Sequence, residues 1–165
     1  FRGKDVVVVG GGDSAVADAV YLSRIAATVH LVHRRDELRA SPWNVRRLEG
    51  LSNLVFHWSC TVEEVVQHEG RVCGVRLRNV HEKSAQDVAA QGVFVAIGTR
   101  PDTAWLGGMV SLDASGYIEA REGGASSVPG IFAAGDVRTT PLRQVVTAVS
   151  DGALAAEAAA SFLAS

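Results

Sequence analysis

Four consecutive valines followed at once by three glycines constrain the fold of this chain more than any other feature. Residues 6–9 form an apolar run without polar alternation, which is typical of a strand buried on both faces of a parallel sheet. Gly10, Gly11 and Gly12 then supply a tight turn, and apolar residues recur at helical spacing from Ala15 onward. Strand, glycine loop and helix in this order predict a dinucleotide-binding βαβ unit.

The glycine loop fits the G-x-G-x-x-A variant of the dinucleotide-binding fingerprint. Gly10 begins the turn, Gly12 leaves room for a pyrophosphate, and Ala15 lets the helix pack closely on the strand. Asp13 or Ser14 is expected to cap the helix, whose free N–H groups and dipole favour phosphate. Since many tight turns contain glycines, the interpretation depends on the strands and helix that flank this one.

A basic turn follows the second predicted strand, residues 28–32. An NAD-binding unit usually carries Asp or Glu here, roughly 20 residues beyond the glycines. This chain has His33, Arg34 and Arg35 instead, with Arg39 shortly after, and Asp36 and Glu37 are expected to hold the arginines in place. Guanidinium groups bond a 2′-phosphate that a carboxylate would repel. The turn therefore predicts NADPH rather than NADH, and the alternative is a solvated surface turn.

The remaining segments predict an α/β chain with two parts. Residues 1–100 are expected to form a Rossmann-like, three-layer dinucleotide-binding domain with an inserted β-meander. A helix is predicted at 42–49, a strand at 54–58, a meander between 61 and 89 with its first turn at Glu69 and Gly70, and a strand at 92–98. Beyond the boundary, short strands are predicted at 117–120 and 128–136, and an alanine-rich helix at 143–163.

Composition narrows the classes of function. The chain has 165 residues, a net charge of −2 and 47% hydrophobic residues, which suits compact units with a core and gives no support to a general nucleic-acid surface. No apolar segment is expected to reach the length of a membrane span. Cys60 and Cys73 form no C-x-x-C pair and are expected to be buried thiols, and the histidines show no metal-ligand spacing, so no metal is assigned.

Six strings spread over nearly the whole chain resemble the low-molecular-weight thioredoxin reductases, a branch of the pyridine nucleotide-disulfide oxidoreductases. GGGDSA together with HRR resembles the NADPH-using members, and GIFAAGD followed by RQ resembles their flavin-binding segment. The strings are VVVVGGGDSA, VHLVHRRDELRA, GVRLRN, GVFVAIGTRPDT, GIFAAGD and LRQVVTAVSDGALAA.

The resemblance implies that residues 1–100 are an NADPH-binding domain and that residues 101–165 are the C-terminal portion of an FAD-binding domain. Asp136 resembles the aspartate that bonds the ribityl chain of FAD. Arg143 to Val145 resemble the residues that begin a helix beside the isoalloxazine, where the helix dipole favours negative charge. The cofactor-binding residues expected in all are Gly10, Gly11, Gly12, Asp13, Ser14, Ala15, His33, Arg34, Arg35, Arg39, Ile97, Gly98, Gly135, Asp136, Arg143, Gln144 and Val145.

By the same resemblance, the intact enzyme is expected to pass electrons from NADPH to FAD, then to a redox cysteine pair and a thioredoxin-like protein disulfide. The cysteine pair is expected upstream of Phe1, so no catalytic residue is assigned and the chain alone is not expected to be competent. A cytoplasmic homodimer without nucleic-acid or membrane partners is expected. Two alternatives stay open: a related ferredoxin/flavodoxin–NADP reductase without the cysteine pair, and a non-catalytic nucleotide-binding module.

Overall fold

The chain contains seven β-strands, three α-helices and three short 3₁₀ helices, and the structure, a computed structural model, describes all residues from Phe1 to Ser165. It divides into two units, Phe1–Gly98 and Thr99–Ser165, so the division falls two residues before the predicted boundary at residue 100. In chain order the elements are β1 (Asp5–Val9), α1 (Asp13–Ser23), β2 (Thr28–Val32), α2 (Pro42–Arg46), β3 (Leu54–His57), β4 (Cys60–His68), β5 (Arg71–Asn79), β6 (Ala85–Ala89), β7 (Gly92–Val95) and α3 (Val145–Ala164).

The first unit has the α/β architecture and the three layers that the sequence predicts. Strands β3, β2, β1 and β7 form a parallel sheet in that order, and β4, β5 and β6 form an antiparallel meander. Val6 and Val8 pack in the same cluster as Val16 of α1, whereas Val7 packs in another cluster with Leu77 of β5. The valine run is apolar throughout because a helix covers one face of the sheet and the meander covers the other.

The predicted elements of the first unit agree with the structure to within three residues, and the largest differences lie at the ends of α2 and β7. The helix begins at Pro42, after Ser41, as the sequence predicts, but it ends at Arg46 rather than near residue 49. The first turn of the meander has positive φ at both Glu69 (50°) and Gly70 (73°), as a two-residue hairpin turn of type I′ requires.

The second unit does not contain the two short strands that the sequence predicts. Only isolated bridges form there: Ile118 pairs with Leu112 and with Arg138, and Phe132 pairs with Ala125. A strand needs a continuous ladder with a neighbour, and these segments meet their neighbours at single positions. The core of this unit consists of Leu106, Val110, Ile118 and Ala133.

Helix α3 corrects the expectation that no segment reaches membrane-span length. Its 20 residues are long and apolar enough to cross a membrane by length and composition alone. The helix packs within its own unit through small residues, since a Cβ on Gly124 would lie 3.1 Å from the Cβ of Ala155. Core helices of other proteins meet the same criteria of length and composition, so this finding does not place the helix in a membrane.

Candidate dinucleotide-binding site

The glycine loop lies at the carboxyl edge of the parallel sheet, between β1 and α1. Gly10 N donates a hydrogen bond of 3.0 Å to Val32 O, which ties the loop to the end of β2. Gly10 has φ 151°, and a Cβ there would overlap the carbonyl oxygen of Ala96 and lie 2.9 Å from the Cβ of Ala15. Only glycine fits this position, because both the backbone conformation and the available space exclude a side chain.

The N-terminus of α1 has room and donors for a pyrophosphate. A Cβ on Gly12, the N-cap residue, would meet no atom within 4 Å. The first helical hydrogen bond runs from Val16 N to Gly12 O (3.1 Å), and no side chain caps the helix. The N–H groups of Asp13, Ser14 and Ala15 precede that bond and have no partner in the helix, which is the arrangement that binds phosphate at helix N-termini.

Asp13 does not cap α1, contrary to the sequence prediction, and neither does Ser14. Gly12 takes the N-cap position with extended backbone, and Asp13 is the first helical residue. Asp13 Oδ1 instead accepts hydrogen bonds from Ser41 N (2.8 Å), Ser41 Oγ (3.0 Å) and Asn44 Nδ2 (2.8 Å). The bonds from Asn44 and then from Ser41 lower the pKa of Asp13. Ser41 and Asn44, which are distant in the sequence, therefore hydrogen-bond the carboxylate that the local pattern assigns to the helix cap.

The three arginines of the basic turn are exposed and have no protein partner. Arg34, Arg35 and Arg39 take part in none of the ion pairs or side-chain hydrogen bonds of the chain. The expectation that Asp36 and Glu37 hold them is wrong, because neither carboxylate forms an ion pair. Three guanidinium groups are thus free for an anionic ligand.

Backbone hydrogen bonds hold the basic turn beside the glycine loop. Arg39 N and Ala40 N both donate to Gly11 O, at 2.7 and 3.1 Å. On the other side, Ser59 N donates to Arg35 O at 3.0 Å. The turn therefore lies between the glycine loop and the segment after β3, at the edge of the sheet where the ribose of a dinucleotide binds in folds of this type.

His33 is buried behind the glycine loop. The residue is only 5% exposed, and its Nε2 atom has no hydrogen-bond partner. Its ring occupies the space that a Cβ on Gly11 would need. Burial, and then the charges of Arg39, Arg35 and Arg34, lower the pKa of His33. The structure thus brings His33 against the loop backbone, while the arginines that follow it face solvent.

Ile97 and Gly98 follow β7 at the same edge of the sheet. Strands β1 and β7 run parallel, and Ala96 N donates to Val9 O at 2.8 Å, so the ends of the two strands are neighbours. Ile97 is exposed, and Gly98 has φ 106° with open space where a Cβ would be. The structure therefore brings these two residues to the edge that carries the glycine loop.

In the second unit, a half-buried ion pair supports the turn that contains Asp136. Asp151 Oδ2 accepts a hydrogen bond from Gly135 N (3.2 Å), and Asp151 Oδ1 pairs with Arg138 Nη1 at 3.0 Å. Both charged side chains are 17% exposed. Sequence reasoning missed Asp151, although an aspartate in the middle of an alanine-rich helix is the signal that would have found it.

The other residues assigned to flavin lie around the start of α3. Arg143 lies over the ring of Tyr117, 3.9 Å from the centroid. Gln144 is the N-cap residue and forms a reciprocal capping box with Thr147, and Val145 is the exposed first residue of the helix. The predicted helix start at residue 143 is therefore two residues early.

The two cysteines are free thiols on different strands of the meander. Cys60 begins β4 and is half-buried, and burial, followed by the charge of Glu82, raises the pKa of its thiol. Cys73 on β5 is exposed, so the expectation of a buried thiol is wrong there. Cys60 lies opposite Asn79 rather than opposite Cys73, so the geometry does not make these cysteines a redox pair.

A parallel sheet with a glycine loop and an uncapped helix N-terminus at its carboxyl edge defines a dinucleotide-binding fold, and comparison with known proteins assigns the family. Residues 1–152 match the family described as pyridine nucleotide-disulphide oxidoreductase, and the chain belongs to that family. The family implies flavin and nicotinamide cofactors.

Several relatives that the chain matches carry the name thioredoxin reductase. One from Chlamydia pneumoniae is 43% identical over 164 residues, covering 99% of this chain and 52% of the relative. One from Bacillus subtilis (strain 168) is 42% identical over 157 residues, covering 95% and 50%. The solved structure of Lactococcus lactis thioredoxin reductase in its FR conformation matches with a TM-score of 0.78 and 35% identity, over 99% of this chain and 54% of that one. The chain spans about half the length of these relatives.

Proposed function

We propose that this chain carries the NADPH-binding domain and a flavin-binding segment of a flavoprotein disulfide reductase that reduces a thioredoxin-like protein. The observation that supports it most is the basic turn after β2, where three exposed guanidinium groups without protein partners lie beside the glycine loop. The thioredoxin reductases among the relatives support the same proposal. We further propose, on the resemblance alone, that the intact enzyme is a cytoplasmic homodimer.

In this proposal the pyrophosphate and the 2′-phosphate of the dinucleotide bind to different parts of the first unit. The pyrophosphate lies over Gly12 and the N–H groups that begin α1. The 2′-phosphate, with a charge of roughly −1.5 to −2 at neutral pH, binds Arg34, Arg35 and Arg39. A charge-assisted hydrogen bond contributes about 1.5–3 kcal/mol, so each one favours NADPH over NADH by roughly tenfold or more.

In the second unit, we assign FAD contacts to Asp136, whose turn Asp151 supports, and to the first residues of α3. When bound, the nicotinamide supplies a hydride and the flavin passes the electrons on to a disulfide. Residues of this chain bind and orient those groups. Because Cys60 and Cys73 do not lie opposite each other, we assign the redox cysteines to the half of the relatives that this chain does not cover.

Equilibrium titration of the chain with NADPH and with NADH tests the proposal. NADPH is expected to bind more tightly, and the difference is expected to shrink as salt concentration rises, because the extra contacts are exposed and charged. Equal affinity for the two nucleotides would contradict the assignment of the basic turn to the 2′-phosphate.

A further inference from the structure

We propose that Asp13 is a positioning residue for recognition of the 2′-phosphate, and that it acts by holding the basic turn rather than by touching the nucleotide. The inference rests on the proposed function, since it concerns the ribose end of the same site. It assigns to Asp13 a role different from the helix cap or direct cofactor contact that its place in the fingerprint predicts.

The carboxylate of Asp13 joins the first turn of α1 to the segment that follows the basic turn. One oxygen, Oδ1, accepts from the backbone N and the Oγ of Ser41 and from the side-chain amide of Asn44. Ser41 lies two residues after Arg39, and Asn44 lies in α2. A single carboxylate oxygen therefore fixes both the exit of the turn and the helix that continues from it.

The neighbouring backbone contributes to the same attachment. Arg39 N and Ala40 N donate to Gly11 O, and Ser41 N donates to Asp13 Oδ1. Three consecutive N–H groups at the end of the basic turn thus donate into the glycine loop and the first residue of α1. Gly11 contributes through its carbonyl, so Asp13 is the side chain through which a substitution can release this end of the turn.

The position of the arginines depends on the backbone of the turn, because no protein group holds their side chains. The attachment to Asp13 holds the end of that turn, and the bond from Ser59 N to Arg35 O holds its start. Arg34, Arg35 and Arg39 are exposed and form no ion pair, so the backbone of the turn decides where their guanidinium groups meet a ligand. The loop assigned to the pyrophosphate is held separately, through the bond from Gly10 N to Val32 O and through the N-terminus of α1. Loss of Asp13 is therefore expected to weaken recognition of the 2′-phosphate selectively.

A carboxylate that merely lay beside the pyrophosphate would have the opposite effect. Its negative charge would repel phosphate, and its removal would strengthen binding of every dinucleotide regardless of the 2′ position. The carboxylate of Asp13 instead accepts three hydrogen bonds from the protein on Oδ1, which hold it against Ser41 and Asn44. The two roles are separated by comparing NADP⁺ with NAD⁺, which differ only in the 2′-phosphate.

The experiment is a titration of the 165-residue chain and its variants with NADP⁺ and NAD⁺ at fixed, low salt. Asp13→Ala is expected to weaken NADP⁺ binding about tenfold and NAD⁺ binding by less than about twofold, as loss of a group of hydrogen bonds to a charged acceptor predicts. Asp13→Asn keeps an oxygen that accepts from Ser41 and Asn44, and it is expected to stay within about threefold of wild type for both ligands. Asp18→Ala, an exposed aspartate of α1 outside the network, is the matched control and is expected to change neither affinity.

Ser41→Ala provides a second, milder variant, because it removes the Oγ bond and leaves the backbone bond in place. It is expected to weaken NADP⁺ binding about two- to threefold and to leave NAD⁺ binding unchanged, and it tests the inference even where Asp13→Ala does not fold. Equal losses for both ligands, no loss, or a gain for both in Asp13→Ala would overturn the positioning role. A wild-type chain that binds NADP⁺ and NAD⁺ equally would instead contradict the proposed function.

Discussion

The imidazole of His33 lies against the backbone of Gly11, at the place where a side chain on residue 11 would begin. His33 follows β2 directly and is buried, and Gly11 is the middle glycine of the loop after β1. His33, which follows β2, thus packs against the glycine loop, which follows the neighbouring strand β1. A side chain on Gly11 is excluded by the volume of the buried ring. A side chain on Gly10 is excluded both by the backbone of Ala96 and by its positive φ.

Substitution of Gly11 by alanine is therefore expected to destabilise the first unit. The added methyl group overlaps the buried ring of His33, so the ring or the loop must shift, and the cost is expected to be about 1–3 kcal/mol. Urea denaturation of wild type and Gly11→Ala measures the difference in the free energy of unfolding.

Gly12→Ala is the matched control, since a Cβ there would meet no atom within 4 Å and the backbone is extended. It is expected to change the free energy of unfolding by less than about 0.5 kcal/mol while weakening dinucleotide binding. Equal stabilities for the Gly11→Ala and Gly12→Ala variants would show that His33 does not constrain the loop.

The stability of the first unit is expected to fall as the solution becomes mildly acidic. Nδ1 of His30 lies 3.0 Å from Nε2 of His57, and burial lowers the pKa of both rings. The charge of His30 lowers the pKa of His57 further, whereas Asp5 partly opposes the shift in His30. A group whose pKa is lower in the folded state than in the unfolded state stabilises the fold at pH values above the unfolded pKa. That stability is lost as pH falls from the unfolded pKa through the folded pKa.

The loss should therefore begin as pH drops below 6.5, the ordinary pKa of histidine, and continue towards the lower pKa values of the folded state. Urea denaturation at a series of pH values measures the slope. The double variant His30→Gln/His57→Gln is expected to have a shallower slope than wild type, although His33, whose pKa is also lowered, keeps it above zero. An unchanged slope in the double variant would mean that the pair does not cause the pH dependence.

Loss of Asp151 is expected to destabilise the second unit. Asp151→Ala leaves the Arg138 guanidinium, whose Nε atom already has no hydrogen-bond partner, without its counter-charge at a half-buried position. Loss of this hydrogen-bonded pair is expected to cost about 1–3 kcal/mol, and the amide hydrogen of Gly135 is expected to exchange faster with solvent. Glu157→Ala, an exposed residue of the same helix, is expected to change stability by less than about 0.5 kcal/mol. Equal effects of the two substitutions would contradict a supporting role for Asp151.

Local sequence signals predicted the first unit well because its elements depend on near neighbours in the chain. The valine run indicates a strand buried on both faces, and β2 matches its predicted residues 28–32. Glu69 and Gly70 mark the hairpin turn because both adopt the positive φ that the turn needs. The prediction was less accurate for the second unit, because the segments near Ile118 and Phe132 form only isolated bridges with their neighbours instead of strands.

The site shows a similar limit. The sequence identified the glycine loop and the basic turn, because spacing along the chain decides where they lie relative to the strands. It assigned the helix cap to Asp13 or Ser14, since nothing local reveals that Ser41 and Asn44, 28 and 31 residues from Asp13, donate hydrogen bonds to its carboxylate. The sequence pattern also does not reveal the partners of Asp151, because Gly135 and Arg138 precede α3.

The most direct test of the central proposal is the ratio of NADPH to NADH affinity before and after removal of the basic turn's charges. Arg34→Ala/Arg35→Ala is expected to weaken NADPH binding by about tenfold or more and to change NADH binding by less than about twofold. Arg71→Ala, an exposed arginine on the meander without an ion-pair partner, is the control and is expected to change neither affinity. A double variant that binds NADPH as tightly as wild type, or that loses affinity for both nucleotides equally, would contradict the assignment of these arginines to the 2′-phosphate.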